Sequence, residues 1–201
     1  MTKSPFIIQD GVITPLECEN ILNDLIVGEF IDEFATQYTA QHVLDETNLQ
    51  YIINIAKSLF STINSHYGVQ CHKIENISFT YGKHRCESSL FKSFNSIFYN
   101  NVWIRNEYND FTLTLFLTSF HHNKEPIDTE FESYGGAFQF PQHNTSIYPD
   151  RGGILIHPSD NHFMRNHTAI ESGTLCFIDV TISCDELYLY DPFKFTNGES
   201  K

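Results

Sequence analysis

The sequence predicts a mainly β chain with helices near its N-terminus, the strands curling into a jelly roll or barrel. Three observations carry that class. Between residues 110 and 182, apolar side chains take every second position, as in Phe111, Leu113, Leu115 and Leu117 and again from Gly173 to Ile182. These runs recur at roughly ten-residue spacing, with turn residues such as Gly135-Gly136 and Gly152-Gly153 between them. Aromatic residues make up 14% of the 201, with 18 Phe and 10 Tyr, a composition rich in strand formers.

The elements follow in order. Phe6, Ile7 and Ile8 before Asp10-Gly11 read as a short strand and a tight turn. Thr14 and Glu17 form a capping pair around Pro15, so a helix starts there, runs to Val27 and stops at Gly28. Leu16, Ile21, Leu22 and Leu25 are its apolar side. Residues 29–44 give no clear pattern. Thr47 is positioned to cap a second helix that reaches Tyr67 and ends at Gly68, with Ile52, Ala56, Leu59, Phe60 and Ile63 as its stripe. Ile77, Phe79 and Tyr81 mark a strand, residues 84–89 a loop, and residues 96–105 one further strand or two. Residues 121–132 form a polar excursion of lid or contact-loop length. Residues 187–190 read as a closing strand or a docking tail, and residues 197–201 as frayed. One domain accounts for all of this: residues 1–70 supply a strand and two supporting helices, 71–195 the jelly-roll core and 196–201 a tail.

Composition bounds the function. The formal charge is -13, with 25 acidic against 12 basic residues and no Lys/Arg cluster, which argues against nucleic-acid and anionic-membrane partners. Cys18, Cys71, Cys86, Cys176 and Cys184 are odd in number and lack a CxxC, so neither a disulfide framework nor a thiolate zinc site is expected. Cys18 and Cys176 sit in apolar patterns and read as small core residues. No signal peptide or membrane-length apolar run is present, which implies a soluble protein in the cytoplasm of the producing cell.

The order of motifs resembles the Fe(II)/2-oxoglutarate-dependent dioxygenase superfamily, in its prolyl-4-hydroxylase-like branch. The similarity runs through the opening segment from Phe6 to Cys18, the strand from Asp110 to Leu117, Gly135-Gly-Ala-Phe-Gln-Phe140, the segment Pro149 to Ser159, and the strand from Ser172 to Ile178. The resemblance implies a double-stranded β-helix, with iron held by His-x-Asp and a distal His, and with 2-oxoglutarate gripped by a basic residue. It also implies where those groups belong, and there the sequence departs. The His-x-Asp region, Trp103 to Asp110, holds no histidine, although Glu107 or Asp110 would supply a carboxylate. The distal-histidine position falls nearest Arg165, with His157, His162 and His167 as neighbours. The co-substrate arginine position is Leu175.

Two functions are in play. In one, an active Fe(II)/2-oxoglutarate-dependent hydroxylase uses a variant metal site drawn from Glu107, Asp110, His162 and His167, with Arg165 or Arg105 holding 2-oxoglutarate. In the other, the chain is a diverged, non-catalytic barrel that carries no cofactor and binds protein partners or itself, its pocket filled by residues such as Trp103, Phe138 and Phe140. The loss of so many essential groups favours the second. The segment from Trp103 to His162 also resembles oxygenase-like proteins encoded by tailed bacteriophages, which implies either a virion structural component or a phage hydroxylase.

Overall fold

The computed structural model describes residues 3–27, 36–39, 44–83, 87–122 and 125–195. Helix α1 (Pro15–Val27) starts where the capping pair places it. The Thr14 amide donates to Glu17 Oε2 at 2.7 Å and the Glu17 amide to Thr14 Oγ1 at 3.3 Å, which satisfies two N–H groups the helix would otherwise leave unbonded. Cys18, Ile21, Leu22 and Leu25 are buried beneath it, whereas Leu16 lies 65% exposed. The predicted stop at Gly28 lies outside the described residues, as do the His84–Cys86 loop and the tail from residue 196.

The single helix expected from Thr47 to Tyr67 is two, α2 (Glu46–Ser58) and α3 (Phe60–Tyr67). Asp45 is the cap of α2, accepting from the Asn48 amide at 2.7 Å. A carboxylate there also answers the positive end of the helix dipole, which the Thr47 hydroxyl would not. At Leu59 the amide bonds back only three residues, to the Ala56 carbonyl at 3.2 Å, while the Ile63 amide bonds to the Leu59 carbonyl at 3.0 Å. The tightened turn breaks the helix without interrupting the apolar stripe, so periodicity reads straight through it. Gly68 ends α3 with φ 73°.

Among the described residues the strands are β1 (Ile7–Gln9), β2 (Thr36–Thr39), β3 (Cys71–Lys83), β4 (Ser96–Tyr99), β5 (Val102–Arg105), β6 (Phe111–Phe116), β7 (Ser119–Phe120), β8 (Glu132–Gly135), β9 (Phe138–Phe140), β10 (Thr145–Ile147), β11 (Ile154–Pro158), β12 (Asn166–His167) and β13 (Ile170–Cys184). The main sheet runs β1-β11-β6-β13-β3-β2, with β8 on the first residues of β13 and β7 parallel to β8. A smaller sheet, β10-β9-β12, faces it. Among the described residues β4 and β5 pair only with each other. β2 falls in the stretch the sequence leaves unassigned. The stretch at residues 187–190 adopts no strand; Tyr188 and Tyr190 pack against the core clusters instead.

Strand alternation sorts the side chains into two cores. Phe111, Leu113, Leu115, Ile154, Ile156, Cys176, Ile178, Val180 and Ile182 face the helices. Phe116, Leu155, Leu175 and Phe177 face the other way, into the curl, where Phe138 and Phe140 of the small sheet meet them. Both faces of the main sheet are therefore buried, at about 1.5–3 kcal/mol per large apolar side chain. Of the glycine pair, Gly135 ends β8 and Gly136 follows it, where the chain crosses from one sheet to the other. Gly135 and Gly136 have φ 95° and 83°. A Cβ on Gly135 would stand 2.0 Å from the Ala169 carbonyl oxygen, so only glycine passes. No helix among the described residues is long and apolar enough to cross a membrane.

Candidate functional site

The interior of the curl is where a double-stranded β-helix can hold a ligand, and here it is built around a charge. Arg165 precedes β12, tied in place by reciprocal backbone bonds with Lys92 at 3.0 and 3.1 Å. Its side chain is 2% exposed and points between the sheets. Nη1 donates to Thr114 Oγ1 at 2.7 Å, and Nη2 donates to Asp179 Oδ1. Thr114 Oγ1 in turn donates to the same Asp179 oxygen at 2.6 Å. Thr114 and Asp179 are register partners on β6 and β13, so the sheet itself fixes the acceptor side.

Aromatic rings enclose the cation. The Arg165 guanidinium carbon lies 4.6 Å from the Phe138 ring centroid, 4.9 Å from that of Phe94 and 5.8 Å from that of Phe177. Lys92 Nζ covers the outer side of Phe94 at 4.8 Å. Burial alone raises the Asp179 carboxyl, but the charges of Arg165 and Lys92 and the hydrogen bonds from Thr114 and Arg165 outweigh it, so the group stays below the ordinary carboxylate value. Asp179 Oδ2 has no hydrogen-bond partner among the described residues.

His157 sits in the same interior, fully closed to solvent, with its ring 5.0 Å from Phe140 and 5.9 Å from Phe163. Its Nδ1 meets the Pro158 carbonyl at 2.6 Å and its Nε2 is unpaired among the described residues. Burial, with the nearby Arg165 charge, pushes its pKa down to about 3, so it is a neutral core imidazole.

Of the other residues singled out by sequence, all but His167 lie apart from this centre. Asp110 is 4% exposed and fully engaged: its carboxylate accepts from the Cys184 amide at 2.9 Å, the Tyr188 amide at 3.0 Å and Arg105 Nη2 at 3.2 Å. It clamps the end of β13 and the following segment. Four residues separate it from Thr114 on β6, roughly 13 Å along a strand. Arg105 also donates Nε to the Glu107 carbonyl at 2.9 Å, and the Glu107 side chain is exposed. His162 is exposed and pairs with Asp160 at 3.3 Å. His167 is buried, with Nδ1 3.2 Å from the Thr168 carbonyl and its ring 6.3 Å from Phe177. The structure thus brings Arg105, Glu107 and Asp110 together at one edge, sets His167 beside Phe177, the ring that also flanks Arg165, and leaves His162 exposed elsewhere. Phe138 and Phe140 do fill the interior, whereas Trp103 stands 38% exposed on the β4–β5 ribbon.

A facial iron site does not fit these residues. The Arg165 guanidinium, nearest the distal position that the resemblance implies, cannot ligate, and its charge repels a cation. Among the described residues no group of three or more His, Cys, Asp or Glu side chains is arranged to hold a metal ion. Leu175, where the resemblance implies the co-substrate arginine, is fully buried and packed against Gly136. Asp179 and Thr114 are the residues that sequence reasoning missed. The signal was present: a charged residue at an inward position of an apolar strand needs a buried partner, and Arg165 was available.

No family model matches the sequence, and the search of curated proteins returns no match. Solved structures do match. The viral collagen prolyl hydroxylase of Paramecium bursaria Chlorella virus-1, in its 2-oxoglutarate complex, aligns over 91% of this chain and 97% of its own, with TM-score 0.68 and 15% identity. A prolyl hydroxylase from Trichoplax adhaerens, in complex with a hypoxia inducible factor peptide fragment, aligns over 90% and 84%, with TM-score 0.64 and 12% identity. HygX from Streptomyces hygroscopicus, with nickel and 2-oxoglutarate bound, aligns over 90% and 83%, with TM-score 0.61 and 8% identity. The fold is accordingly the double-stranded β-helix of the 2-oxoglutarate oxygenases, of the kind seen in prolyl hydroxylases.

Proposed function

We propose that this chain is a diverged member of the oxygenase superfamily that works as a non-catalytic binding or assembly protein. The observation that carries the reading is the Arg165 guanidinium, which closes a buried ion pair with Asp179 at the place where the resemblance expects the distal metal ligand. A protein that needed the interior for iron would not place there a cation already spent on a buried carboxylate and enclosed by three phenylalanine rings. Its partners are proteins, other copies of itself included. The resemblance of residues 103–162 to phage-encoded oxygenase-like proteins makes a virion component the specific form of this reading. Detection of the chain by mass spectrometry in purified particles of the encoding phage tests that form, and absence from them removes it.

The alternative is an Fe(II)/2-oxoglutarate-dependent hydroxylase, the enzyme class that the fold neighbours represent. It would need Asp110 or Glu107 to approach His162 or His167, and Asp110 already spends its carboxylate on three donors. Anaerobic reconstitution with Fe(II), followed by 2-oxoglutarate, ascorbate and oxygen, decides between them. The non-catalytic reading expects succinate at the level of a protein-free control; iron-dependent succinate release above that level overturns it.

A further inference from the structure

We propose that Cys71 and Cys184 form a reversible thiol–disulfide switch at the root of the cleft between α3 and the segment after β13, and that oxidation closes that cleft. The two cysteines face each other on the last rung of the β3–β13 ladder, with their Sγ atoms 3.7 Å apart. The cleft, about 720 Å³, has residues 64–70 as one wall and residues 185–189 as the other. One wall thus ends at the residue before Cys71, and the other begins at the residue after Cys184.

Each cysteine is tied to its wall. The Cys71 amide donates to Asn64 Oδ1 at 2.8 Å, and the Asp185 amide donates across to the Gln70 carbonyl at 2.9 Å. Asp110 accepts from the Cys184 and Tyr188 amides at 2.9 and 3.0 Å, so the start of the second wall moves with Cys184. A disulfide would bring the sulfurs from 3.7 Å to about 2.05 Å. The register slips between Ser183 and Cys184, so the ladder is irregular at the rung that must shift. Closing that gap draws the two walls together.

The roles of the two thiols differ. Cys71 is half-buried, whereas Cys184 is 7% exposed and Cys18 and Cys176 are fully buried, so among these four a peroxide reaches Cys71 first. The contact with Cys71, then burial, hold the Cys184 thiol well above its usual pKa, so it waits protonated. The Cys71 thiolate attacks hydrogen peroxide: an S–O bond forms, the O–O bond breaks, and hydroxide leaves and takes up the proton that Cys71 released. Cys184 Sγ then attacks the sulfenic acid. The S–S bond forms, the S–O bond breaks, and the hydroxyl leaves with the Cys184 proton as a second water. Two thiols are oxidised by two electrons and one peroxide is reduced; a small-molecule dithiol reverses the change by exchange.

Amide hydrogen exchange of the full chain, reduced and after stoichiometric hydrogen peroxide, tests this, with peptide mapping to locate the cross-link. The expected result is a linked peptide pair carrying Cys71 and Cys184, and exchange about tenfold slower at residues 185–189, restored by dithiothreitol. Cys71→Ser and Cys184→Ser should keep the reduced exchange rates with or without peroxide, and exchange across β6 should show that both variants fold. The comparison of reduced with oxidised wild type stands without either variant. Oxidised wild type that lacks the linked peptide overturns the proposal. So does a link that leaves exchange at residues 185–189 unchanged, or peroxide-induced slowing in either serine variant. Neither iron nor 2-oxoglutarate enters the experiment, so its outcome is independent of the succinate assay.

Discussion

Arg165 and Asp179 form an ion pair with side chains 2% and 0% exposed, one from the segment leading into β12 of the small sheet and the other from the middle of the main sheet. The pair holds the two sheets together from the inside. Removing one member strands the other in a medium that cannot solvate it, at a cost of about 3–5 kcal/mol. Arg165→Ala and Asp179→Ala should each lower the unfolding free energy in urea by that amount. The double change Arg165→Met/Asp179→Leu should recover most of it, since apolar side chains of similar volume often replace a buried pair without loss. Additive losses in the double variant would show that the pair is not the unit.

Acid should unfold the protein through three buried groups. His157 titrates near 3 in the folded chain and near 6.5 when exposed, so between those values the unfolded state binds the extra proton. Its contribution is complete above pH 6.5 and is lost as pH falls, by about 1.36 kcal/mol per unit. His167, lowered chiefly by burial, acts in the same direction. Asp179, held low, keeps its contribution above the ordinary carboxylate value and loses it only as pH falls through its lower folded pKa. Urea midpoints measured from pH 7 to pH 4 should therefore decline, and His157→Gln should flatten the slope. An unchanged slope in that variant would remove His157 from the account.

Cys71 and Cys184 are register partners on β3 and β13, their sulfurs 3.7 Å apart. Hydrogen peroxide should take two electrons and two protons from the pair, leaving a disulfide and water. The cross-link closes a long loop and should raise stability by up to about 4–5 kcal/mol, less any strain it introduces. Intact mass before and after oxidation, with Cys71→Ser as control, checks it; two free thiols after treatment would refute it.

Gly135→Ala should cost at least about 1–3 kcal/mol, from positive φ and from the carbonyl 2.0 Å from the new methyl. At Gly11 φ is also positive, +63°, but nothing lies within 4 Å. There the same change should cost only the backbone term, about 1–2 kcal/mol. Paired thermal denaturation curves separate the two.

The sheets were legible because the longer strands repeat every two residues and several of their turns carry glycine. Thr14 and Glu17 announced α1 for the same local reason. What escaped was settled by contacts distant in sequence or masked by periodicity. The break at Leu59 keeps the stripe in phase, and β2 exists because β3 offers it an edge. Trp103 sits in an apolar run that reads as core, yet it stands on the ribbon because no other strand pairs there. At the site, Arg165 and Leu175 could be read from spacing as departures from a metal-binding pattern. Their consequence could not, since Asp179 lies fourteen residues from Arg165 and meets it only through the curl of the sheet.

The central claim is that a fixed internal cation has taken over the space of a metal and a dicarboxylate. Titration of the purified chain with Mn(II) and 2-oxoglutarate, monitored together by electron paramagnetic resonance and thermal shift, tests it most directly. The account predicts a spectrum of free Mn(II) and an unchanged Tm. Saturable binding of one Mn(II) per chain, with a Tm rise that requires 2-oxoglutarate, would contradict it.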